Sequence, residues 1–206
     1  MSSPDSAYYD ADYFENGIKT QKSSYENYRW LPERSLRMAN QLKTMFPGSS
    51  FLDFGCAKGF LVYAFWLLDV QCYGYDISEY AIANAKSEVR SKLGSNKENT
   101  PNVDVVVAKD VLEHVPYEML DAELTWMKTK GNHFVFVVPL GEDNKYRIPA
   151  YEFDKSHIIR ENEEWWLKRF KRLGFVVDRF HYHLEGFKDN WFAAYPFGNA
   201  IFFLSK

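Results

Sequence analysis

The chain has 206 residues, 46% of them hydrophobic, with a formal net charge of −3 and two cysteines. Such a length suits one well-filled α/β domain, and the small net charge excludes a general electrostatic field for nucleic acid or an anionic membrane. Two cysteines, Cys56 and Cys72, exclude a disulfide framework and read as small buried residues, and no apolar run approaches the ~20 residues that span a bilayer.

Residues 1–6 carry neither the basic nor the apolar region of a signal peptide, so a cytoplasmic location is the expectation. Residues 1 to 28 are polar and tyrosine-rich (Tyr8, Tyr9, Tyr13, Tyr25 and Tyr28, with Phe14) and read as a partly helical cap over a crevice. A helix over 31–45 follows, with Pro32 near its start and Leu36, Ala39 and Leu42 at helical spacing. From there strands and helices alternate: strand 51–54, helix 59–67, strand 71–75, helix 79–90 and a short strand near 91–94. Strand 103–109, helix 117–129 and strand 133–138 continue the rhythm. Residues 140–156 form a long irregular connection, read as a substrate lid. Helix 161–173 stops at Gly174, strand 175–182 follows, and the chain closes on strand 200–204. The alternation implies a mostly parallel sheet covered on both faces, within a single domain over 1–206 whose first 46 residues are cap and helix.

The most informative stretch is Asp53-Phe-Gly-Cys-Ala-Lys-Gly59, a small-residue turn between a strand and a helix. Glycine lacks the Cβ that would hold the backbone away from a ligand. A pyrophosphate-binding turn wants a third glycine and no anion at its lip, whereas here Phe60 takes the glycine position and Asp53 supplies a carboxylate. That arrangement favours a cationic or zwitterionic nucleoside and argues against an NAD-dependent oxidoreductase. Asp76, at the end of the next strand, faces the turn across the crevice, where a carboxylate can accept both ribose hydroxyls.

Here the chain resembles the class I S-adenosylmethionine (SAM)-dependent methyltransferases, and most nearly their type 11 small-molecule group. The resemblance is carried by Asp53 to Gly59, by Tyr75-Asp76-Ile-Ser78 and by the segment Val103 to Val115, and it covers roughly residues 50 to 140. It departs at Ala57, where the family has glycine, and around Ser91 to Asn96, where the usual adenine-contacting acid is missing. The resemblance implies a three-layer αβα Rossmann-like fold with an antiparallel last strand, and SAM as cofactor. The implied cofactor set is Asp53, Gly55, Cys56, Ala57, Gly59, Asp76 and Ile77, then Ser95 and Asn96 at the adenine, and the backbone of Lys109, Asp110 and Val111. Asp110 falls where the family faces the transferable methyl and is, with His157, a candidate catalytic residue acting on the acceptor. His157, in Asp154-Lys-Ser-His157, matches an Asp-x-x-His of many relatives and would serve as general base. Capping of the following helix, or a bond to Asp154, is the plainer reading of His157, and a structural role is the plainer reading of Glu113 and His114.

No metal site is expected. His181, His183 and Glu185 would share a face of one strand, but such pairs are ordinary on surfaces. The cations of Lys168 to Arg172 read as the solvated face of a helix, so no nucleic-acid partner is expected, nor a membrane. The aromatic run Trp191 to Phe197 is core packing, a pocket wall or a homodimer contact. The functional expectation is methyl transfer to oxygen or nitrogen of a small polar acceptor such as a sugar or secondary metabolite. The alternative is a catalytically degenerate SAM-binding or interaction module of the same fold.

Overall fold

The computed structural model describes residues 5–206; the first four residues of the expected cap and most of the stretch examined for a leader lie outside it. Two short helices, α1 (Ala11–Glu15) and α2 (Gly17–Thr20), precede α3 (Pro32–Met45). Then come β1 (Phe51–Phe54), α4 (Phe60–Leu67), β2 (Cys72–Tyr75), α5 (Glu79–Ala83), α6 (Ser87–Arg90) and β3 (Leu93–Gly94). The second half holds β4 (Val105–Lys109), α7 (Tyr117–Lys130), β5 (His133–Pro139), the hairpin β6 (Gly141–Glu142) and β7 (Lys145–Tyr146), and α8 (Glu163–Arg172). It closes with β8 (Val176–His181), α9 (Asp189–Phe192) and β9 (Asn199–Ser205).

Seven strands form one sheet in the order β3-β2-β1-β4-β5-β9-β8. The first five are parallel, while β9 runs antiparallel between β5 and β8. The pleat sends alternate residues to opposite faces. Val106, Ala108, Phe134 and Phe136 therefore join one core with Trp166, Phe170 and Phe202, while Val105, Val107, Val135 and Val137 join the other with Leu42, Phe51 and Phe65. Burial on both faces is why these strands read as unbroken apolar runs.

The expected helix over 79–90 is two pieces instead. The break falls at Lys86, whose backbone is extended (φ −57°, ψ 136°), while Asn84 just before it still donates its N–H to the Tyr80 carbonyl (3.1 Å). The connection after β5 is also more ordered than expected, since it contains β6, β7 and a 3-10 turn over Pro149–Phe153. Asn162 caps α8 by accepting the Trp165 N–H (3.0 Å). No described helix is long and apolar enough to cross a membrane.

Candidate functional site

The carboxyl ends of β1, β2 and β4 open onto two cavities, as expected where an open α/β sheet changes strand direction. The smaller, about 230 Å³, is lined by Gly55, Ala57, Asp76, Lys109, Asp110 and Val111 among others, and Ile77 also reaches it. The larger, about 800 Å³, takes Asp53, Cys56, Ala150, Tyr151, Lys188 and Trp191. Gly55, Lys109, Asp110, Tyr25 and Tyr28 line both, so the two spaces adjoin.

The turn after β1 is held by its neighbours. Gly55 and Gly59 have φ of +78° and +67°, the left-handed region that glycine enters at low cost. The missing side chains, however, make room for protein: a Cβ on Gly55 would lie 2.4 Å from Val111 Cγ2, and one on Gly59 would lie 2.7 Å from Leu93 Cδ1. The expectation of close approach to a ligand thus has a different physical basis at these two positions, and Gly59 lines neither cavity. Ala57, at φ +48°, is a left-handed residue without glycine's freedom. Its N–H donates to Asp76 Oδ2 (2.7 Å), and Ser78 N–H donates to Asp76 Oδ1 (2.8 Å). Asp76 is thereby fixed at the cavity wall with one lone pair on each oxygen still unused. Burial raises its carboxyl above the usual value, opposed by those two donors.

Asp53 sits at the floor of the larger cavity. Burial pushes its carboxyl up to about 7, Lys109 draws it down and Asp76 adds to the rise, with no hydrogen-bond donor among these influences. A buried carboxylate without a donor is a receptor for a cation, and Asp76 with two spare acceptor sites suits a diol. These donors and acceptors fit the amino and ribose groups of SAM.

Above the cavities lies the tyrosine-rich segment, with Tyr9, Tyr13, Phe14, Tyr25 and Tyr28 on the wall of the smaller one. It is fastened from several sides. Buried Lys58 pairs with Glu15 and donates to the Tyr28 carbonyl (2.9 Å), Ser78 Oγ donates to the Tyr9 carbonyl (2.5 Å), and Tyr13 OH donates to Asp154 Oδ2 (2.9 Å).

Asp110 stands at the end of β4 with φ +56°. Its oxygens meet Lys109 Nζ and Lys188 Nζ, each at 2.5 Å, and Lys188 also donates to Tyr151 OH (2.8 Å), which donates to Asn199 Oδ1 (2.9 Å). Burial opposes ionisation of Asp110, but the two ammonium groups outweigh it and hold the carboxyl well below the usual range.

Behind Asp110, Glu113, His114 and His157 converge: one ligating atom of each lies within 4.8 Å of the others. Glu113 is buried and its Oε2 has no partner among the described residues; burial, then Asp110, push its carboxyl up to about 8. Burial, then His114, lower His157 to about 4. His157 donates through Nδ1 to the Tyr151 carbonyl (2.7 Å) and lines neither cavity, so it does not stand where a general base for a cavity-bound acceptor would act. Of the plainer readings of His157, capping falls to Asn162, and the bond to Asp154 is present through the backbone, the His157 N–H donating to the Asp154 carbonyl (3.3 Å).

Ser95 and Asn96 lie outside both linings; Asn96 instead accepts the Glu98 N–H (2.9 Å). The smaller cavity is also lined by Met119 and Glu123 of α7, which sequence reasoning missed. Their spacing of four on one helix, next to the loop after β4, was the available signal. Lys188 was also missed, and nothing in its surroundings of Phe187 and Asp189 marks it. His181, His183 and Glu185 do not share a strand face, because β8 ends at His181; His183 meets Asp189 (3.2 Å) and Glu185 meets Arg37 (2.9 Å). Arg169 and Arg172 hold Asp121 at 2.7 and 2.5 Å. Trp191, from the aromatic run, is a wall of the larger cavity.

Similarity to known proteins agrees with this geometry. The chain resembles a SAM-dependent methyltransferase from Archaeoglobus fulgidus, with TM-score 0.63 and 17% identity over 84% of this chain and 94% of that one. It resembles magnesium protoporphyrin IX methyltransferase of Synechocystis, solved with bound S-adenosylhomocysteine (SAH), with TM-score 0.64 and 14% identity over 98% and 100% of the two chains. A third likeness, to the mitomycin 7-O-methyltransferase, has TM-score 0.61 and 15% identity over 85% of this chain and 53% of that one. No protein of curated function matches the sequence. The family description "methyltransferase domain" matches residues 25–184, most of the chain and every strand of the seven-stranded sheet except β9. The chain belongs to that family and is a class I SAM-dependent methyltransferase.

Proposed function

We propose that the protein transfers the methyl group of SAM to an oxygen or nitrogen of a small polar acceptor held in the larger cavity. The observation that carries this reading is the meeting of the two cavities at Gly55, Lys109 and Asp110, which lets SAM lie across the junction, its ribose at Asp76 in the smaller space and its methionyl end at Asp53 in the larger, beside an acceptor held in the rest of the larger space. Asp76 would take the ribose, Asp53 the methionyl amino group, and Gly55, Cys56, Ala57, Ile77, Lys109 and Val111 would line the cofactor's path. Methyl transfer from a sulfonium needs in-line approach above all, so positioning supplies much of the acceleration. Asp110, held ionised by two lysines, acts here as the anchor of Lys188 and Tyr151 rather than as a base. Residues 140–156 serve as the acceptor's lid, since Ala150 and Tyr151 line the larger cavity. The mitomycin 7-O-methyltransferase, named for a small-molecule acceptor, supports that size class. A cytoplasmic location accompanies this reading.

The test is transfer of labelled methyl from SAM to a panel of sugars, nucleosides, phenols and amino compounds, beside calorimetry with SAH. Expected are micromolar SAH binding and labelling of at least one hydroxyl or amine. Intact SAH binding with no labelled product across the panel would favour the degenerate module instead.

Asp53 makes the cofactor reading sensitive to pH. With its carboxyl at about 7, roughly half is ionised at pH 7 and about a tenth at pH 6, so SAH should bind about fivefold more weakly at pH 6 than at pH 7. Because the folded value exceeds that of an unfolded aspartate, this group subtracts stability from the ligand-free protein as pH climbs from about 4 to 7. Calorimetry across that range checks the binding slope, and Asp53→Asn should flatten it; an equal slope in the variant would assign the effect to another group.

A further inference from the structure

Glu113 and His114 come from the loop after β4, and His157 from the end of the connection that follows β7, 43 residues beyond His114 in sequence. The backbone brings them together: the Glu113 carbonyl accepts the N–H groups of Ile158 (2.7 Å) and Ile159 (3.0 Å), clamping the connection onto the loop. His157 Nε2 then lies 3.9 Å from Glu113 Oε1, and the two imidazole centroids are 4.6 Å apart.

The hydrogen bonds around this cluster decide what it can bind. His157 Nδ1 faces a carbonyl, which only accepts, so Nδ1 carries the proton and Nε2 presents a lone pair. His114 Nδ1 lies 2.8 Å from Ser156 Oγ, and that hydroxyl gives its one proton to Asp154 Oδ1 (2.5 Å). His114 must therefore donate through Nδ1, which leaves its Nε2 as a second lone pair. Asp154 is itself fixed by Tyr13 OH and by the Ser156 N–H (2.9 Å each). Glu113, with its side chain 1% exposed, adds a carboxylate whose Oε2 no described donor satisfies. Two imidazoles and a carboxyl group thus converge, one ligating atom of each within 4.8 Å of the others, and outer hydrogen bonds fix both tautomers. A buried acceptor left unmatched is costly, and outer partners of this kind are what orient metal-ligating histidines.

We propose that Glu113, His114 and His157 bind a first-row divalent cation. Two imidazoles and one carboxylate are a borderline donor set that suits zinc, cobalt, iron or manganese over magnesium or calcium. Three protein ligands leave coordination positions open. His114 lines the smaller cavity, so an open position can face that space. An acceptor oxygen that extends from the larger cavity into the smaller one can take the open position, and only that last step rests on the methyltransferase reading.

The experiment uses tag-free, chelator-treated protein titrated with Co²⁺, followed by visible ligand-field absorption and calorimetry, with no SAM or acceptor present. One equivalent should bind with micromolar Kd. Pulsed electron paramagnetic resonance of the Mn²⁺ form should show nitrogen couplings from two imidazoles. Glu113→Gln and His157→Ala should each weaken Co²⁺ binding by at least about tenfold, and Ser156→Ala, which removes an outer partner, by about 10- to 100-fold. Unchanged SAH binding certifies that a variant is folded. Absence of saturable Co²⁺ uptake, uptake without imidazole couplings, or equal uptake by folded Glu113→Gln and His157→Ala would each overturn the site. None of these readouts depends on methyl transfer, so loss of the functional reading and loss of the metal site are separately visible.

Discussion

Replacing Asp76 with alanine is expected to weaken SAH binding by at least about 100-fold, measured by calorimetry. Two ribose hydroxyls on a buried carboxylate are charge-assisted hydrogen bonds, worth roughly 1.5–3 kcal/mol each, and about 1.4 kcal/mol is tenfold in affinity. The substitution has a second consequence. Asp76 accepts the N–H of Ala57, which sits at φ +48°, so its loss frees a turn whose backbone is costly to hold. Asp76→Asn keeps the shape and one acceptor oxygen and should fall between the two. Binding of the alanine variant within tenfold of the parent would remove Asp76 from the cofactor site.

Asp110→Ala should lower stability by about 1–3 kcal/mol, between the range of an exposed pair and that of a buried one because the Asp110 side chain is 24% exposed, and lower the melting temperature by roughly 5 °C. The substitution leaves Lys188, with its side chain 10% exposed, facing Lys109 without an anion between them. It also places alanine at φ +56°. Adding Lys188→Met should recover part of the loss, because the unpaired charge goes with it; no recovery would show that backbone conformation, not charge, carries the effect. The pH dependence has a definite sign. A carboxyl held below the unfolded value contributes stability above about pH 4 and loses it as pH falls through the folded value. The gap between parent and variant should therefore narrow on acidification below pH 4, as read by denaturant melts.

The sheet was legible because its central strands are covered on both faces. Val105 to Ala108 and Phe134 to Val138 have no polar interruption, and such runs can only be buried. Asp53 and Asp76 were legible because each ends a short apolar run beside the small-residue turn. The break between α5 and α6 was not, since it lies in the extended backbone of Lys86 and not in any loss of apolar spacing. The glycines were found for a reason that proved incomplete. Val111 and Leu93 occupy the space at Gly55 and Gly59, and neither contact is visible from local sequence. The convergence of Glu113, His114 and His157 was equally hidden. Each residue was noticed, but their meeting rests on two backbone bonds between a loop and a distant connection. The general-base reading would put His157 beside the acceptor, whereas the fold turns its Nδ1 to the Tyr151 carbonyl and its ring toward His114.

The position of β9 has a consequence for synthesis of the chain. It pairs with β5 along His133–Pro139 on one side and with β8 on the other, so β8 has no partner strand until β9 arrives. A nascent chain emerging from the ribosome can assemble the five parallel strands early, but β8 must wait for residues 199–205. Until then Phe134, Phe136 and Phe170 lack Phe202 and the rest of their cover, a sticky surface in a half-made molecule. A stop codon that removes these residues would unseat two strands at once, so even a short truncation should send the product to proteolysis and not to a shortened enzyme.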